Sequence, residues 1–199
     1  MLFTNSRSIP LKAPAGMLNS NTLQYIRRKP NYANPIKSAA PPPHEPPKKK
    51  MKWGEPTWFL FHTLAHKVKD EYFSIIRKEL LNLIYTICNN LPCPDCASHA
   101  TAYMNGINFD SIQTKTQLKQ MLFIFHNSVN QRKKVELFQY EDLDTKYDAA
   151  ILVPIIQNFM NHFRDKHSSI HMIANDLHRG RIANSMTEWF QKNLKYFNP

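Results

Sequence analysis

The chain has 199 residues, a formal net charge of +11, 42% hydrophobic residues and a mean hydropathy of −0.49. This length suits one or two domains, and no run reaches the roughly 18 consecutive apolar residues of a membrane-spanning helix, so we expect no membrane span. Three cysteines are too few for a disulfide-stapled secreted scaffold, and the first residues lack the apolar core of a signal peptide. Four glycines and apolar residues at helical spacing disfavour a sandwich, a barrel or a Rossmann domain, and they predict an all-α fold.

The positive charge is concentrated at the amino-terminal end. Residues 1–52 hold ten lysines and arginines, one acidic residue and nine of the 14 prolines, whereas the rest of the chain has a net charge of only +2. Such a segment buries too little apolar surface to offset the entropy of ordering it, so we predict a disordered, basic, proline-rich tail over residues 1–50. A solvated tether is the favoured interpretation, and the alternative is a tail that binds acidic partners, anionic membranes or nucleic acid. Nucleic acid would be bound only through this tail.

Four helices are predicted in residues 51–144, which we expect to form one domain. In chain order they begin near Pro56, at residue 71, at Pro94 and just after Thr114, and they end near Val68, residue 90, Asn105 and Val129. Pro56 and Pro94 suit the first helical positions, because proline has no amide to leave unpaired there. Thr114 with Gln117 predicts a capping box at the start of the fourth helix.

A helical extension is predicted after this domain. A polar loop over residues 133–144 should lead into it, and the extension covers residues 145–199. Its helices are expected at residues 146–164, 168–177 and 181–195. Pro154 lies inside the first of them and should kink or split it, since proline cannot donate the amide hydrogen bond that continues a helix.

The sharpest local pattern is the CxxC of Cys93 and Cys96 at the start of the third predicted helix. A helix amino terminus carries partial positive charge that stabilises a thiolate, and the spacing lets the two sulfurs form a small disulfide, so the pattern indicates a redox pair. The alternative is half of a zinc site, but such a site needs four ligands and only His99 lies nearby, so we predict no metal. Cys88 lies in an apolar stretch and is interpreted as a buried small hydrophobic residue.

Polar residues interrupt the apolar stripe of the fourth helix. His126 and Asn130 are four residues apart on one face, with Asn127 beside them. Polar groups inside an apolar helix cost free energy unless they are hydrogen-bonded. They form either a satisfied network in the core or a contact with a bound polar and aromatic ligand, and this cluster alone favours the core network.

Aromatic residues and a histidine mark the first helix. Trp53-Gly54, Trp58 and His62 follow one another at a spacing of about one helical turn. Clusters of tryptophan and histidine belong more often to a core than to a cofactor cage. Gly54 would let a flat ring approach the backbone closely, because glycine has no Cβ.

The three motifs WG-x3-W-x3-H, CxxC and HN-x-VN, in this order, resemble the Erv/ALR family of FAD-linked sulfhydryl oxidases. The resemblance covers about residues 50–140 and therefore leaves out the tail and most of the extension. The matching residues are Trp53, Gly54, Trp58, His62, Thr63, Leu64, Ala65, Pro92, Cys93, Cys96, His99, His126, Asn127, Val129 and Asn130.

The resemblance implies a four-helix bundle that holds FAD, is usually a homodimer, and oxidises protein dithiols to disulfides while O2 is reduced to hydrogen peroxide. It implies that Cys93 and Cys96 are the catalytic disulfide beside the flavin. The cofactor-binding residues that it implies are Trp53, Gly54, Trp58 and His62 along the flavin, His99 next to it, and His126, Asn127, Val129 and Asn130 on the adenine and ribose side. Lys133, Lys134 and Phe138 are candidates for the lysine and the aromatic residue that follow the last motif in the family.

The tail lacks the additional CxxC of many cellular members, and the chain lacks their long-range structural disulfide. This minimal set of cysteines is similar to that of the thiol oxidases of large DNA viruses. It implies a thiol-containing protein substrate, namely a separate redox protein that receives the disulfide, and a location in the virion or host cytoplasm. The mitochondrial intermembrane space is the alternative location. The alternative function, from a different class, is a non-catalytic helical module that binds zinc or nucleic acid.

Overall fold

The computed structural model describes residues 52–165 and 173–199. In these residues the chain forms helices and one isolated β-bridge, between Val68 and Phe197, but no strand. The α-helices are α1 (Gly54–Lys67), α2 (Asp70–Asn89), α3 (Pro94–Asn105), α4 (Lys115–Lys133), α5 (Asp142–Tyr147), α6 (Leu152–Phe163) and α7 (Ile173–Asn193). None of these helices has both the length and the apolar character of a membrane span. The all-α prediction is confirmed, and the tail predicted over residues 1–50 lies outside the described residues.

Local chemistry sets the ends of α4. The amide of Gln117 donates to Thr114 Oγ1 at 3.2 Å, and the Thr114 amide donates to Gln117 Oε1 at 3.0 Å, which is the predicted capping box. The helix ends at Lys134, whose φ of 55° is left-handed and whose amide bonds back to carbonyls of the last turn. Local sequence therefore sets both ends of the helix that carries the HN-x-VN motif.

The central helix of the fold is α1. It packs against α4 and α5 and also against α6, while α2 packs against α3. Leu60, Leu64 and Ala65 of α1 are fully buried in the core. Burying a leucine side chain stabilises a fold by about 1.5–3 kcal/mol, so α1 is held by its neighbours far more than by helix propensity.

The first helix predicted for the extension is divided in two. Instead of one helix over residues 146–164, α5 ends at Tyr147 and α6 begins at Leu152. The sequence predicts a kink or split at Pro154, and the break lies just before it, which leaves Pro154 in the first turn of α6. Proline is tolerated there because amides of the first turn have no partner within the helix. The polar loop predicted over residues 133–144 also ends early, since α5 begins at Asp142.

The division predicted between residues 177 and 181 is wrong. Helix α7 runs unbroken from Ile173 to Asn193, with Gly180 inside it. Glycine costs a helix interior about 1 kcal/mol, which burial of Ala183, Met186 and Phe190 offsets. Residues 168–172 of the predicted weak helix lie outside the described residues. The boundary predicted between a domain over residues 51–144 and an extension over 145–199 stays a prediction.

Candidate functional site

The cysteine pair forms a disulfide at the amino terminus of α3. Cys93 is the N-cap of the helix, Pro94 follows at its first position, and the Cys96 amide donates to Cys93 Sγ at 3.2 Å. Both cysteines are half-buried. When the disulfide is reduced, the unpaired amides and partial positive charge of the helix end favour a thiolate at the N-cap. The local structure thus has the chemistry of an exchangeable disulfide.

A cavity lies directly against Cys96. It has a volume of about 460 Å³, including the part open to solvent. Seven of the residues predicted for the site share its wall: Trp53, Gly54, Trp58, Cys96, His99, Val129 and Lys133. Apart from the adjoining residues and the backbone of α1 itself, no atom of the described residues lies within 4 Å of the point where a Cβ on Gly54 would be, so this position has room beside it. The structure therefore brings the first helix, the CxxC and the end of α4 around one cavity.

Seven residues of the wall were missed by the sequence prediction. They are Thr57, Phe61, Cys88, Leu91, Ala100, Phe125 and Arg132. Helical spacing could have found some of them, since Phe61 lies three residues after Trp58 and Phe125 four residues before Val129. Cys88 is fully buried, as predicted, and burial raises the pKa of its thiol to about 12. It is therefore a neutral thiol in the wall.

A pair of histidines lies beside this cavity rather than in its wall. His62 Nε2 and His126 Nδ1 are 3.1 Å apart, and the His126 ring stacks on Trp58 with ring centroids 4.1 Å apart. Burial, followed by the charge of neighbouring groups, lowers the pKa of His62 to about 3 and that of His126 to about 4. Both rings are neutral at pH 7, so one donates a hydrogen to the other. His62 Nδ1 is buried and has no hydrogen-bond partner among the described residues.

The two asparagines of the HN-x-VN motif hold the segment that follows α4. Asn127 Nδ2 donates to the Phe138 carbonyl and Asn127 Oδ1 accepts from the Phe138 amide, both at 2.9 Å. Asn130 Nδ2 donates to the Glu136 carbonyl at 3.2 Å. Both asparagine side chains therefore bond to backbone groups. This agrees with the hydrogen-bonded network that was one of the two interpretations of the cluster from the sequence. Lys134 is the left-handed C-cap described above and is not part of the cavity wall.

Helix α5 packs against the end of the site that contains His62 and His126, which we call the histidine end. The Tyr147 ring stacks on His62 with centroids 4.9 Å apart, and Phe138 stacks on His126 at 5.8 Å. The Lys146 ammonium lies 5.3 Å from the centroid of the Phe138 ring and 5.7 Å from that of Tyr147. Tyr147 and Lys146 were not predicted as site residues, because no local pattern indicates that a short helix packs against α1.

A larger open groove lies elsewhere. It has a volume of about 950 Å³ including open solvent, and it runs between α2 and the residues after α3, past Arg77, Tyr85 and Phe109. None of the predicted site residues lines it. Its size therefore does not make it the candidate site, since ligand sites are recognised by the chemical groups that converge on them.

The segment that contains the cavity residues is similar to a known protein family. The model of the Erv1/Alr family matches residues 55–148. An FAD-linked sulfhydryl oxidase named in Invertebrate iridescent virus 6 is 35% identical over 86 residues, which are 40% of this chain and 78% of that protein. The chain belongs to the Erv1/Alr family. The family match includes His62, the CxxC and the HN-x-VN motif, and it ends just before α6.

Other Erv1/Alr relatives have similar names. The FAD-linked sulfhydryl oxidase named in Invertebrate iridescent virus 3 is 33% identical over 81 residues, which are 40% of this chain and 55% of that protein. The FAD-linked sulfhydryl oxidase of African swine fever virus, isolate Pig/Kenya/KEN-50/1950, is 26% identical over 105 residues, which are 53% of this chain and 87% of that protein. The chain thus spans little more than half of the first of these relatives. No solved structure matches the chain significantly.

Proposed function

We propose that this chain is an FAD-dependent sulfhydryl oxidase, which forms disulfides in protein dithiols through Cys93 and Cys96 while O2 is reduced to hydrogen peroxide. The observation that carries the proposal is a disulfide at a helix amino terminus with Cys96 in the wall of an aromatic cavity. The names of the viral Erv1/Alr relatives support the same activity. The family match and the names of the relatives do not favour the zinc or nucleic-acid alternative.

The residues around the cavity fit a flavin nucleotide. Trp53 and Trp58 supply flat apolar surface, and the Cβ position of Gly54 leaves room beside them. Arg132 and Lys133 supply positive charge that suits a pyrophosphate. In the proposal, Trp53, Gly54, Trp58 and Val129 in the cavity wall hold the ring system. The His62–His126 pair lies behind this wall and supports it through the stack of His126 on Trp58.

The cysteine pair carries out the exchange with substrate. A substrate thiolate attacks Cys93 Sγ, the Cys93–Cys96 bond breaks, and Cys96 leaves as a thiolate. The second substrate thiolate then attacks the substrate sulfur of the mixed disulfide, so that the substrate gains a disulfide and Cys93 leaves as a thiolate. The helix end stabilises the N-cap thiolate, which makes it a good leaving group.

Reoxidation of the pair requires an electron acceptor. The chemistry that FAD would supply when bound is to accept two electrons from the reduced cysteines and pass them to O2. Cys96 is assigned to the cofactor side because it lies in the cavity wall, whereas Cys93 does not. The remaining residues of the wall exclude water and orient the ring system.

The proposal includes a protein partner. The substrate is a thiol-containing protein, and we expect a separate redox protein to receive the disulfide, since the tail holds no cysteine of its own. The viral relatives support a location in the virion or in the host cytoplasm. Homodimerisation and nucleic-acid binding by the tail stay predictions.

The test is a flavin and peroxide assay on the full chain purified with FAD. The oxidase should be yellow and should produce one hydrogen peroxide for each disulfide formed from a dithiol. A colourless protein that takes up no FAD would contradict the proposal and would favour the alternative function, a helical module that binds zinc or nucleic acid. That module would release zinc on thiol modification and bind nucleic acid with a strong dependence on salt.

A further inference from the structure

The open groove beside α2 contains a buried arginine that is held in one orientation. Arg77 is 8% exposed, and its Nη1 donates to the carbonyls of Phe109 and Ile112, both at 3.1 Å. Its Nε and Nη2 have no hydrogen-bond partner among the described residues and are not sealed from solvent, so they face the groove that Arg77 lines. A fixed guanidinium, which can only donate hydrogen bonds, therefore points into open space.

Further donors surround this guanidinium. The exposed Lys78 lines the groove, and its ammonium forms no ion pair within the part of the chain that the structure describes. The Tyr85 hydroxyl donates to Asn105 Oδ1 at 2.9 Å. The Asp110 amide donates to Asn108 Oδ1 at 3.1 Å. Because these two bonds turn the amide oxygens toward the protein, both asparagines present their Nδ2 hydrogens to the groove, which thus suits a ligand rich in acceptors.

The charge and shape of the groove favour an acidic peptide. Among the described residues that line it, Arg77 and Lys78 are cations and Asp110 is an anion, which leaves a net charge of +1. The rings of Tyr85 and Phe109 meet edge to face, with centroids 6.1 Å apart, and supply apolar surface beside these charges. Arginine pairs with carboxylates through two parallel hydrogen bonds. An open groove suits an extended chain, since small-molecule sites bury most of their ligand.

The groove lies on the same two helices as the cysteine pair. Helices α2 and α3 pack together, and Tyr85 of α2 bonds to Asn105 at the end of α3. Cys93 is the N-cap of this twelve-residue helix. At 1.5 Å per residue, the groove therefore begins about 18 Å along α3 from the cysteine pair. A protein docked at Cys93 would cover about 800 Å² of this chain, a patch about 30 Å across, and could reach the groove.

We propose that this groove is a docking site for an acidic segment of the protein that supplies the dithiol. Arg77 and Lys78 pair with its carboxylates, and the asparagine amides donate to its peptide carbonyls. The inference rests on the proposed function, because it concerns recognition of the substrate of the same CxxC. The groove has no part in the exchange chemistry. Its effect is on KM rather than kcat, and on peptide or protein dithiols rather than small ones.

The first experiment measures binding without any thiol. The probe is a synthetic peptide that has two glutamates beside a phenylalanine and no cysteine, and it is added to the 15N-labelled full chain. Because the basic tail also attracts acidic peptides, the readout is local: the amide signals of Asn82, Asn105 and Asp110 and the Nε–H signal of Arg77. We expect these signals to shift with the glutamate peptide and not with a matched glutamine peptide. Shifts confined to the tail would overturn the inference.

Three variants that each remove one charge should differ in sign. Lys78→Gln should raise the dissociation constant of the glutamate peptide at the groove about threefold, as for one exposed charge pair. Asp110→Asn removes a carboxylate that repels the peptide, so the constant should fall by a similar factor. Lys192→Gln changes the net charge as Lys78→Gln does, but it lies on α7 outside the groove and should have no effect. Equal effects of the two lysine variants would overturn the inference.

Arg77→Lys tests the guanidinium itself. The variant keeps the charge but loses the planar fork, so we expect peptide binding at the groove to weaken about tenfold. Near-ultraviolet circular dichroism checks the fold, since Arg77 also holds two backbone carbonyls. A folded variant that binds like the wild type would contradict the assignment of Arg77. If the variant does not fold, the Lys78 and Asp110 variants decide the question.

The second experiment connects the groove to the dithiol. Two synthetic peptides carry a CxxC followed by a flexible linker of about eight residues, long enough to span about 18 Å, and then the glutamate or the glutamine segment. In the wild type we expect KM to be about tenfold lower for the glutamate peptide, with equal kcat. Lys78→Gln should reduce this difference about threefold and leave the oxidation of dithiothreitol unchanged.

The outcomes separate the two proposals. A KM difference that Lys78→Gln leaves intact would come from the basic tail, and the inference would fail. If the wild type oxidises dithiothreitol and both peptides with the same KM, the inference also fails while the proposed function stands. If the chain loaded with FAD oxidises none of the dithiols, the proposed function fails, and the groove cannot be a site of substrate recognition.

Discussion

At the Cys96 end of the site, helices from three parts of the chain surround empty space with apolar and aromatic side chains, and a glycine leaves room beside them. At the His62 end, the rings of His62, His126, Phe138 and Tyr147 pack together. The Asn127 side chain holds Phe138 there through a hydrogen bond to its backbone. The difference shows that the cavity lies beside Cys96, whereas the His62 end is filled by packed rings that support the cavity wall through the stack of His126 on Trp58. Damage at the first end should affect chemistry, whereas damage at the second should affect affinity and stability.

The largest effect should come from Cys96→Ser. Without this sulfur the pair cannot form a disulfide, so oxidase turnover should fall by at least about a thousandfold, as for the loss of a nucleophile. Bound FAD should remain, since the rest of the wall is unchanged. The measurement is peroxide formation beside the flavin absorbance. Cys88→Ala is the control: it removes the other cysteine of the wall, and its activity should persist.

The next largest effect is expected for Trp58→Ala. The substitution removes a wall of the cavity and the surface on which His126 stacks. We expect a loss of about 3 kcal/mol of unfolding free energy, as for other large-to-small aromatic changes, and a marked loss of FAD affinity. Urea denaturation and flavin titration measure the two effects. Trp189→Ala on α7 should also destabilise the fold but should leave FAD affinity intact, and equal effects on affinity would contradict the comparison.

Acid should destabilise the histidine end specifically. The pKa values of His62 and His126 are lowered to about 3 and about 4, so the unfolded chain binds more protons than the folded one between these values and 6.5. Stability therefore falls as the pH drops through this window. From pH 7 to pH 5 we expect a loss of about 2 kcal/mol, allowing for the partial exposure of His126.

Thermal unfolding at several pH values measures this slope. His126→Gln keeps a polar side chain at the position and removes one titrating ring, so its stability should fall less steeply with acid. A slope identical to that of the wild type would show that the neutral pair is not the source of the acid sensitivity.

The smallest effect separates the two asparagines. Asn127→Ala removes two hydrogen bonds to the Phe138 backbone, and Asn130→Ala removes one longer bond to Glu136. We expect losses of about 2 kcal/mol and about 0.5–1 kcal/mol, and a matching order in FAD affinity. The reverse order in urea denaturation would mean that the segment after α4 is held mainly by Phe138 packing.

Much of the fold and part of the site could be predicted from the sequence, where neighbouring residues decide the outcome. The start of α4 follows from Thr114 and Gln117 alone, and the start of α3 from Cys93 and Pro94. The family resemblance of the motifs on α1, α3 and α4 implied seven residues that share the cavity wall. Family membership was predicted from the same motifs and is confirmed.

The parts that could not be predicted depend on contacts distant in the chain. Helix α5 has only six residues, too few to stand out by periodicity, and it is held by Tyr147 against α1. The continuity of α7 through Gly180 depends on the surface that it buries, which no local rule reveals. The roles assigned to individual cofactor residues stay predictions.

The packing of α6 along α1 has a consequence for any attempt to work with the family-matched segment alone. Phe159 and Phe163 are fully buried members of the same core as Leu60 and Leu64, although they follow the end of the match at residue 148. A chain that ended at residue 148 would expose to water the apolar surface of α1 that α6 covers. Such a fragment would aggregate, rearrange its core or associate with a second molecule that covers the exposed surface, so a fragment of this chain for functional work should include α6.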